Sequence, residues 1–582
     1  MGKKHASRRF IACIVGSLFL PLGTQASEAE LLKKLEAMQK EIEQLRAMVQ
    51  NNQASQEATK QATTELKEKV QRAEDKSSEK WLTVGGDYEF RADSLRGETK
   101  TYTDVGATFA NAGDQIQAAF FANPSAQNAA MLSGLMAFSE GMAGVKTYQQ
   151  AQQFLATPAN QQMIAGLNNY AVSVPSYKPK NSSLYTHRFG LDLNARATQD
   201  VSVSARLLMY KTWGASDDDA VTNGGSTPFF ADRVGVFDGT LGHIPSSDYV
   251  NVDRAYATWS NIADQDIWFS VGRRPSTNGT PSHLRYNMST PGRGGIPSLL
   301  VDYAFDGMTI GWGPDIDDLP GAYAKLCFGR GYESGYTDNP LAESLKDTDF
   351  VGVQIVPIDT DALRVWTQWN RGINIFDAPK MSNTYYGDTM PKVNLGDIDW
   401  LGAGAMGTIK NVGIGDLNYF VDLAMSKTHP NNNVSSQFGF QGLLTGAFFE
   451  PEAPQDKTGR AIYLGLRYDL PSKTKLGFEY NYGSKNWITF APASSDIWTS
   501  KVGTRGNVYE VYLIQELDAK PISSFAAKSF FRLGFQYYDF QYTGSNNWVG
   551  APVKISSLNN NMMTTTPLSK AINAYATFTV KF

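Results

Sequence analysis

The sequence predicts an all-β transmembrane barrel of about 16 antiparallel strands, preceded by an α-helical coiled coil. Three observations predict the barrel. Apolar and polar side chains alternate with period two in segment after segment from Trp81 onward. The connections between those segments alternate long and short. The last segment ends in an aromatic residue, Phe582. Period two marks a strand with unlike faces, and brief turns at one end with larger loops at the other mark a barrel in lipid.

Composition sets the outer bounds. The chain has 582 residues with Lys+Arg 53 and Asp+Glu 57. Its mean hydropathy is −0.32, which excludes a bundle of helical membrane spans, each needing about 20 apolar residues. The one long apolar run, Phe10 to Leu22, would reach about 20 Å as a helix, against a hydrocarbon core of about 30 Å. It reads instead as the centre of a signal peptide over residues 1–26. Lys3, Lys4, Arg8 and Arg9 precede it, and Thr24 and Ala26 offer small residues at a cleavage site. Without these residues 49 basic side chains face 57 acids. A net acidic chain argues against a nucleic-acid partner. Cys13 leaves with the signal peptide, and Cys327 alone makes no disulfide framework, zinc ribbon or haem-attachment motif.

Residues 27–80 contain almost no Gly or Pro. Leu31, Leu35, Met38, Ile42, Leu45 and Val49 step by 4, 3, 4, 3 and 4, the seam of a coiled coil. The frame turns polar at Asn52, Gln56, Thr59 and Thr63 and recovers at Leu66, Val70 and Ala73. One helix cannot bury such a seam alone, so an oligomer is implied; a single solvated helix lying on another domain is the alternative.

Barrel strands are expected over 81–582, near 81–93, 184–197, 201–213, 251–262, 266–275, 304–312, 321–332, 348–357, 361–373, 397–410, 414–427, 459–470, 474–486, 506–518, 527–542 and 569–582. The segment 304–312 is required to keep long and short connections in step. An even count places both termini at the short-turn end. Closure follows from chemistry: in hydrocarbon each unpaired N–H or C=O costs several kcal/mol, so a sheet must have no edge. Val580 and Phe578 share the face of Phe582, and this ending resembles the signal read by the barrel assembly machinery.

Parity turns Arg91, Arg188, Arg206, Arg254, Arg274, Arg364, Arg467 and Arg532 inward. Asp87, Glu89, Asp93, Asp192, Asp422, Asp469, Glu479 and Glu510 face the same way. A charge at the lipid midplane costs about 2–4 kcal/mol, so the inward placement is required. These charges either pair across neighbouring strands on a solvated wall or oppose one another across a constriction. Arg273 falls on the apolar parity and is expected at the rim.

Three short segments carry a family resemblance: Gly86-Asp87-Tyr88-Glu89-Phe90-Arg91, Arg254-Ala255-Tyr256-Ala257-Thr258-Trp259, and Phe269-Ser270-Val271-Gly272-Arg273-Arg274. The chain resembles Gram-negative porins that carry a periplasmic coiled coil before a 16-stranded barrel. The resemblance implies an outer-membrane channel set among lipopolysaccharide, a homo-oligomer with a trimer favoured, and passive diffusion of small hydrophilic solutes or ions. The connection 276–303, with Arg285, Arg293 and Gly294, resembles a constriction loop folded into the pore; an ordinary exposed loop is the alternative. The insert 94–183 departs from a minimal porin. Its stretches Gln127–Gly144 and Lys146–Ala156 read as helices of a plug, a cap or a surface lobe.

Enzymatic signals are weak. His5, His187, His243, His283 and His429 show no metal spacing, and no G-x-S-x-G elbow is present. No catalytic residue, metal ligand or cofactor is assigned. The rival readings are a structural envelope protein, a barrel sheath around cytochromes, and a barrel enzyme.

Overall fold

The computed structural model describes residues 81–214, 250–277, 283–288, 295–334, 345–379, 381–384, 387–491, 495–518, 520–523 and 527–582. The segments expected as signal peptide and coiled coil, with the seam from Leu31 to Val49, lie outside these residues.

Sixteen strands close into one barrel. They are β1 (Leu82–Thr99), β2 (Lys180–Arg196), β3 (Val201–Trp213), β4 (Val250–Trp259), β5 (Ile267–Pro275), β6 (Ala304–Trp312), β7 (Tyr323–Tyr332) and β8 (Thr348–Asp359). There follow β9 (Arg364–Phe376), β10 (Asn394–Val412), β11 (Gly415–Pro430), β12 (Thr458–Asp469), β13 (Thr474–Gly483), β14 (Gly506–Glu516), β15 (Lys528–Phe540) and β16 (Leu568–Lys581). Each strand pairs antiparallel with its neighbour in sequence, and β16 pairs with β1. Phe582 continues that seam: its N–H donates to the Gly86 carbonyl and its carbonyl accepts from the Gly86 N–H, at 3.0 and 2.8 Å.

All sixteen expected segments coincide with these strands. The largest difference is at β1, which runs on past Asp93 to Thr99. Its ladder with β16 continues through Ser94 and Leu95, although the outward parity turns polar at Ser94. Near the end of a strand the outer face leaves the apolar zone, so alternation stops before hydrogen bonding does. The insert therefore spans 100–179 rather than 94–183.

The faces are inverted relative to a water-soluble barrel. Val203, Val271, Ile310, Leu326, Leu401, Leu423, Leu466, Leu476 and Val511 are exposed on the outside. Leu533 is 57% exposed, whereas the adjacent, inward-facing Arg532 is 0% exposed. Aromatic side chains flank this apolar belt. Trp259 and Trp312 stand at the short-turn end. Tyr480, Tyr509 and Tyr537 line up across β13–β15 at the other end, with ring centroids 5.1 and 6.4 Å apart. Outward charges gather at the long-loop end of strands, and several are paired there. Arg273 meets Asp306 at 3.4 Å, Arg330 meets Asp349 at 2.6 Å, and Arg371 meets Asp397 at 2.8 Å. Arg273 is thus a rim residue, as its parity suggests. His187 also faces outward, 2.7 Å from the Tyr88 hydroxyl and stacked on Trp213.

The insert forms four helices: α1 (Val105–Ala122), α2 (Ala126–Ala143), α3 (Tyr148–Ala156) and α4 (Pro158–Leu167). The expected helices correspond to α2 and α3. Of the others, α1 buries Val105, Thr108, Ala112 and Ile116 on one face and α4 buries Leu167, and both are fixed at their starts. Asp104 caps α1 by accepting from the Ala107 N–H at 2.8 Å, and Pro158 opens α4. The helices pack on the connection 431–457. Phe138 lies 5.3 Å from Phe154 and 5.9 Å from Phe449, and Phe154 lies 5.4 Å from Phe440. The insert is therefore a lobe seated on a long connection.

Candidate functional site in the barrel lumen

The lumen divides into sectors of different chemistry. Along β1–β4 it is charged and partly open. Arg188 reaches Asp87 at 3.0 Å, Arg206 reaches Asp192 at 2.6 Å and also pairs with Asp87, and Arg254 reaches Asp192 at 3.2 Å. Gly190 gives the Arg206 guanidinium room to lie across β2, since a Cβ there would collide with it. Acid and base alternate between adjacent strands, so these charges form a ladder along one wall. The opposed arrangement across a constriction is not what these residues make. Arg364 makes a similar local pair with Asp359 at 2.7 Å, at the short-turn end.

Along β12–β16 and β1 the wall is covered. The turn 283–288 of the connection after β5 lies inside the barrel, and wall cations grip its main chain. Arg467 donates to the carbonyls of Leu284 and Met288 at 2.8 and 3.1 Å. Arg532 donates to the carbonyl of Arg285, Lys581 to that of Tyr286 at 2.9 Å, and Lys528 to that of Asn287. Every carbonyl from 284 to 288 thus accepts from a cationic side chain of the barrel. Such charge-assisted bonds contribute about 1.5–3 kcal/mol each. The Arg285 side chain points on to Asp496 at 2.7 Å and Glu510 at 3.0 Å. Lys501 bridges Glu510 at 2.6 Å and pairs with Glu479. The Tyr463 hydroxyl donates to Glu479 at 2.7 Å. On the other side Arg532 meets Glu89 at 3.4 Å, and Arg91 meets Asp93 at 2.8 Å.

Along β8–β14 the lumen is dry. Inward-facing Phe350, Trp366, Ile398, Trp400, Phe420 and Ile514 form one buried cluster with side chains from the long connections. Leu299 and Leu300 come from 276–303, Leu444 from 431–457, Trp487 and Phe490 from 484–505, and Trp548 from 541–567. The connections are anchored by tryptophan N–H groups: Trp400 donates to the Ile488 carbonyl at 2.9 Å, and Trp548 to that of Phe376 at 2.6 Å.

This corrects the expectation of a uniformly water-lined wall. Asp192, Arg188 and Arg254 line the partly open sector, with Asp87 and Arg206 buried against them. Glu89, Arg91, Arg467, Glu479 and Arg532 face inward but are buried around the turn 283–288. Asp422 is buried beside Leu299, Leu300 and Trp366. Arg274 is buried against Ser270, at 2.9 Å. Arg285 enters the lumen as the constriction-loop reading has it; Arg293 and Gly294 lie outside the described residues. Phe582, Val580 and Phe578 lie on the outward parity of the β16–β1 seam.

Residues missed by sequence reasoning include Asp496, Lys501, Lys528, Lys581 and Lys475, which donates to the Asn287 side chain of the turn at 2.7 Å. A signal for the dry sector was present. The strands β9, β10 and β14 are apolar on both parities, as in Trp366 and Trp369, Trp400 and Leu401, or Leu513 and Ile514. Among the described residues no cluster of His, Cys, Asp and Glu could hold a metal ion.

Several solved barrels align with the chain. The Vibrio cholerae outer-membrane protein OmpT in its trimer form is 13% identical, with a TM-score of 0.33, over 86% of this chain and 99% of that one. The Acinetobacter baumannii outer-membrane channel DcaP is 8% identical, with a TM-score of 0.36, over 86% and 97%. The anion-selective porin from Comamonas acidovorans is 11% identical, with a TM-score of 0.36, over 86% and 99%. These likenesses are distant; closure of the barrel is read from its own strand pairing. No match is found among curated protein sequences. One family model, described as a protein of unknown function, DUF3373, matches residues 178–582. That is well over half of the sequence and takes in fifteen of the sixteen strands, so the chain belongs to the DUF3373 family.

Proposed function

We propose that the chain is an outer-membrane channel for passive diffusion of small hydrophilic solutes or ions, narrowed by its own connections. One observation carries this reading: a closed barrel with an exposed apolar belt holds a charged, partly open wall on β1–β4. Lipid is the solvent that stabilises such an exterior. A charged, accessible interior is what a hydrated path requires. In this reading the turn 283–288 is the constriction. Residues 1–26 direct export, and 27–80 form a periplasmic coiled coil that supports a trimer. Phe582 serves the assembly machinery, and lipopolysaccharide surrounds the long-loop rim. The chain acts without catalysis or cofactor.

Planar-bilayer recording tests this. The expected result is a small, discrete conductance with a reversal potential set by the β1–β4 charges in asymmetric salt. Absence of conductance from correctly folded protein would overturn it. That outcome would favour the second reading, a non-conducting structural envelope protein, for which the dry β8–β14 sector speaks. A sheath around cytochromes is less well supported, because the barrel's own connections occupy the space a carrier protein would need.

A further inference from the structure

One niche in the lumen wall holds two cations and no carboxylate among its lining residues. Arg274 on β5 and Lys325 on β7 face into it and are 8% and 5% exposed. Cys327, Gln354, Gln368 and Asn370 line it from β7, β8 and β9, and Val301 and Phe305 border it. Arg274 spends its Nε on the Ser270 hydroxyl at 2.9 Å, and one terminal nitrogen approaches the Cys327 sulfur at 3.9 Å. Lys325 uses one N–H on the Ser276 carbonyl at 3.0 Å. Neither cation has a carboxylate within ion-pair distance among the described residues.

The neutral groups around them are polarised the same way. The Gln354 amide donates to Gln368 at 3.5 Å, and Gln368 donates to Asn370 at 3.2 Å. The relay ends on the Asn370 amide nitrogen, which is buried with no acceptor. Several other buried cations of this barrel are balanced by acids: Arg285 has Asp496 and Glu510, Lys501 has Glu479 and Glu510, and Arg91 has Asp93. Arg505, which has no carboxylate partner, instead donates to three main-chain carbonyls, those of Trp487, Thr543 and Asn547. A buried charge without a counter-charge is unfavourable, and an orphaned buried N–H adds to it.

We propose that this niche is a binding site for a small anion, of halide or carboxylate size, held between the Lys325 ammonium, the Arg274 guanidinium and the Asn370 amide. The anion supplies the negative charge that the side chains omit. The site does not depend on whether the barrel conducts, because it can fill from the lumen in either case.

The test is calorimetric titration of the full-length detergent-solubilised protein with sodium bromide and, separately, sodium formate, together with anomalous scattering from bromide-soaked crystals. Saturable binding of either anion at one site is expected, with bromide density between Lys325 and Arg274. Lys325→Met and Arg274→Gln should each weaken binding at least tenfold. Asn370→Asp, which places a carboxylate in the niche, should abolish it. Heat-modifiable migration on gels identifies which variants have folded; if Lys325→Met does not fold, Asn370→Asp and Arg274→Lys carry the test. Cys327→Ala should leave binding intact. No saturable binding to the wild type, binding unaffected by Asn370→Asp, or binding that arises only in Cys327→Ala would each overturn the proposal.

Discussion

Replacing Arg285 with Met tests whether the turn 283–288 is a docked constriction. The side chain makes two bonds to buried acids, Asp496 at 2.7 Å and Glu510 at 3.0 Å. Its loss leaves those carboxylates with Lys501, Gln536 and the Tyr575 hydroxyl. Breaking one side of a buried pair costs about 3–5 kcal/mol, because a charge is left uncompensated. That cost falls on the docked state alone. It shifts the docked-to-undocked ratio by roughly two to three and a half powers of ten. The wall contacts to the carbonyls of 284–288 remain, so the turn should visit the undocked state rather than abandon the lumen. Single-channel recording of Arg285→Met should show frequent transitions to a larger conductance. Arg285→Met combined with Glu510→Gln should lose part of this behaviour, since one orphan charge is gone. Currents identical to wild type, in a variant whose thermal stability has fallen, would refute the reasoning. The turn would then be a structural filler away from any conducting path.

Other expectations address separate parts of the molecule. Leu533→Arg places a cation at the centre of the outward face of β15 and should cost about 2–4 kcal/mol, measured by urea-dependent folding into lipid vesicles. Phe138→Ala should loosen the helical lobe by about 3–5 kcal/mol; limited proteolysis within 100–179 should accelerate while the barrel stays heat-modifiable. Phe582→Ser removes an aromatic ring at the β16–β1 seam and should leave unfolded protein in the periplasm; normal yields of folded barrel in the outer membrane would count against an assembly role. Deleting residues 28–80 should convert an oligomer to a monomer by native mass measurement; an unchanged mass would remove the coiled coil from the account.

The strands were legible because lipid enforces one rule on every outward side chain. A polar residue such as Asp or Arg at the midplane is too costly, so parity survives the whole length of the chain. The lumen obeys no such rule. It can hold water, ion pairs or oil, and period two cannot distinguish them. Arg467 and Arg532 were therefore legible as inward but not as clamps on a turn more than 170 residues away in sequence. Their partners are main-chain carbonyls, which leave no mark in a sequence. The dry sector was hidden for a related reason. Trp487 and Phe490 sit in a long connection, where apolar residues read as exposed patches until a facing wall such as Trp400 is known. The helix α1 was missed because its buried face, Val105, Thr108, Ala112 and Ile116, is partly small or polar, and α4 because it buries Leu167 alone; their capping signals, Asp104 and Pro158, are single residues.

The seam between β16 and β1 has a consequence for the order of events in making the protein. Phe582 bonds to Gly86 across 496 positions of sequence, so the cylinder closes only when the strand farthest along the sequence pairs with the first. Until it arrives, two rows of main-chain donors and acceptors stand open at the margins of a sheet whose outer side repels water. Such a sheet invites pairing with another copy. The late-arriving strand also has to find its register over a very long loop, which makes ring closure a slow step. The open margins must therefore be kept from pairing with another copy until they meet, and the lumen contents can settle only after the ring is shut.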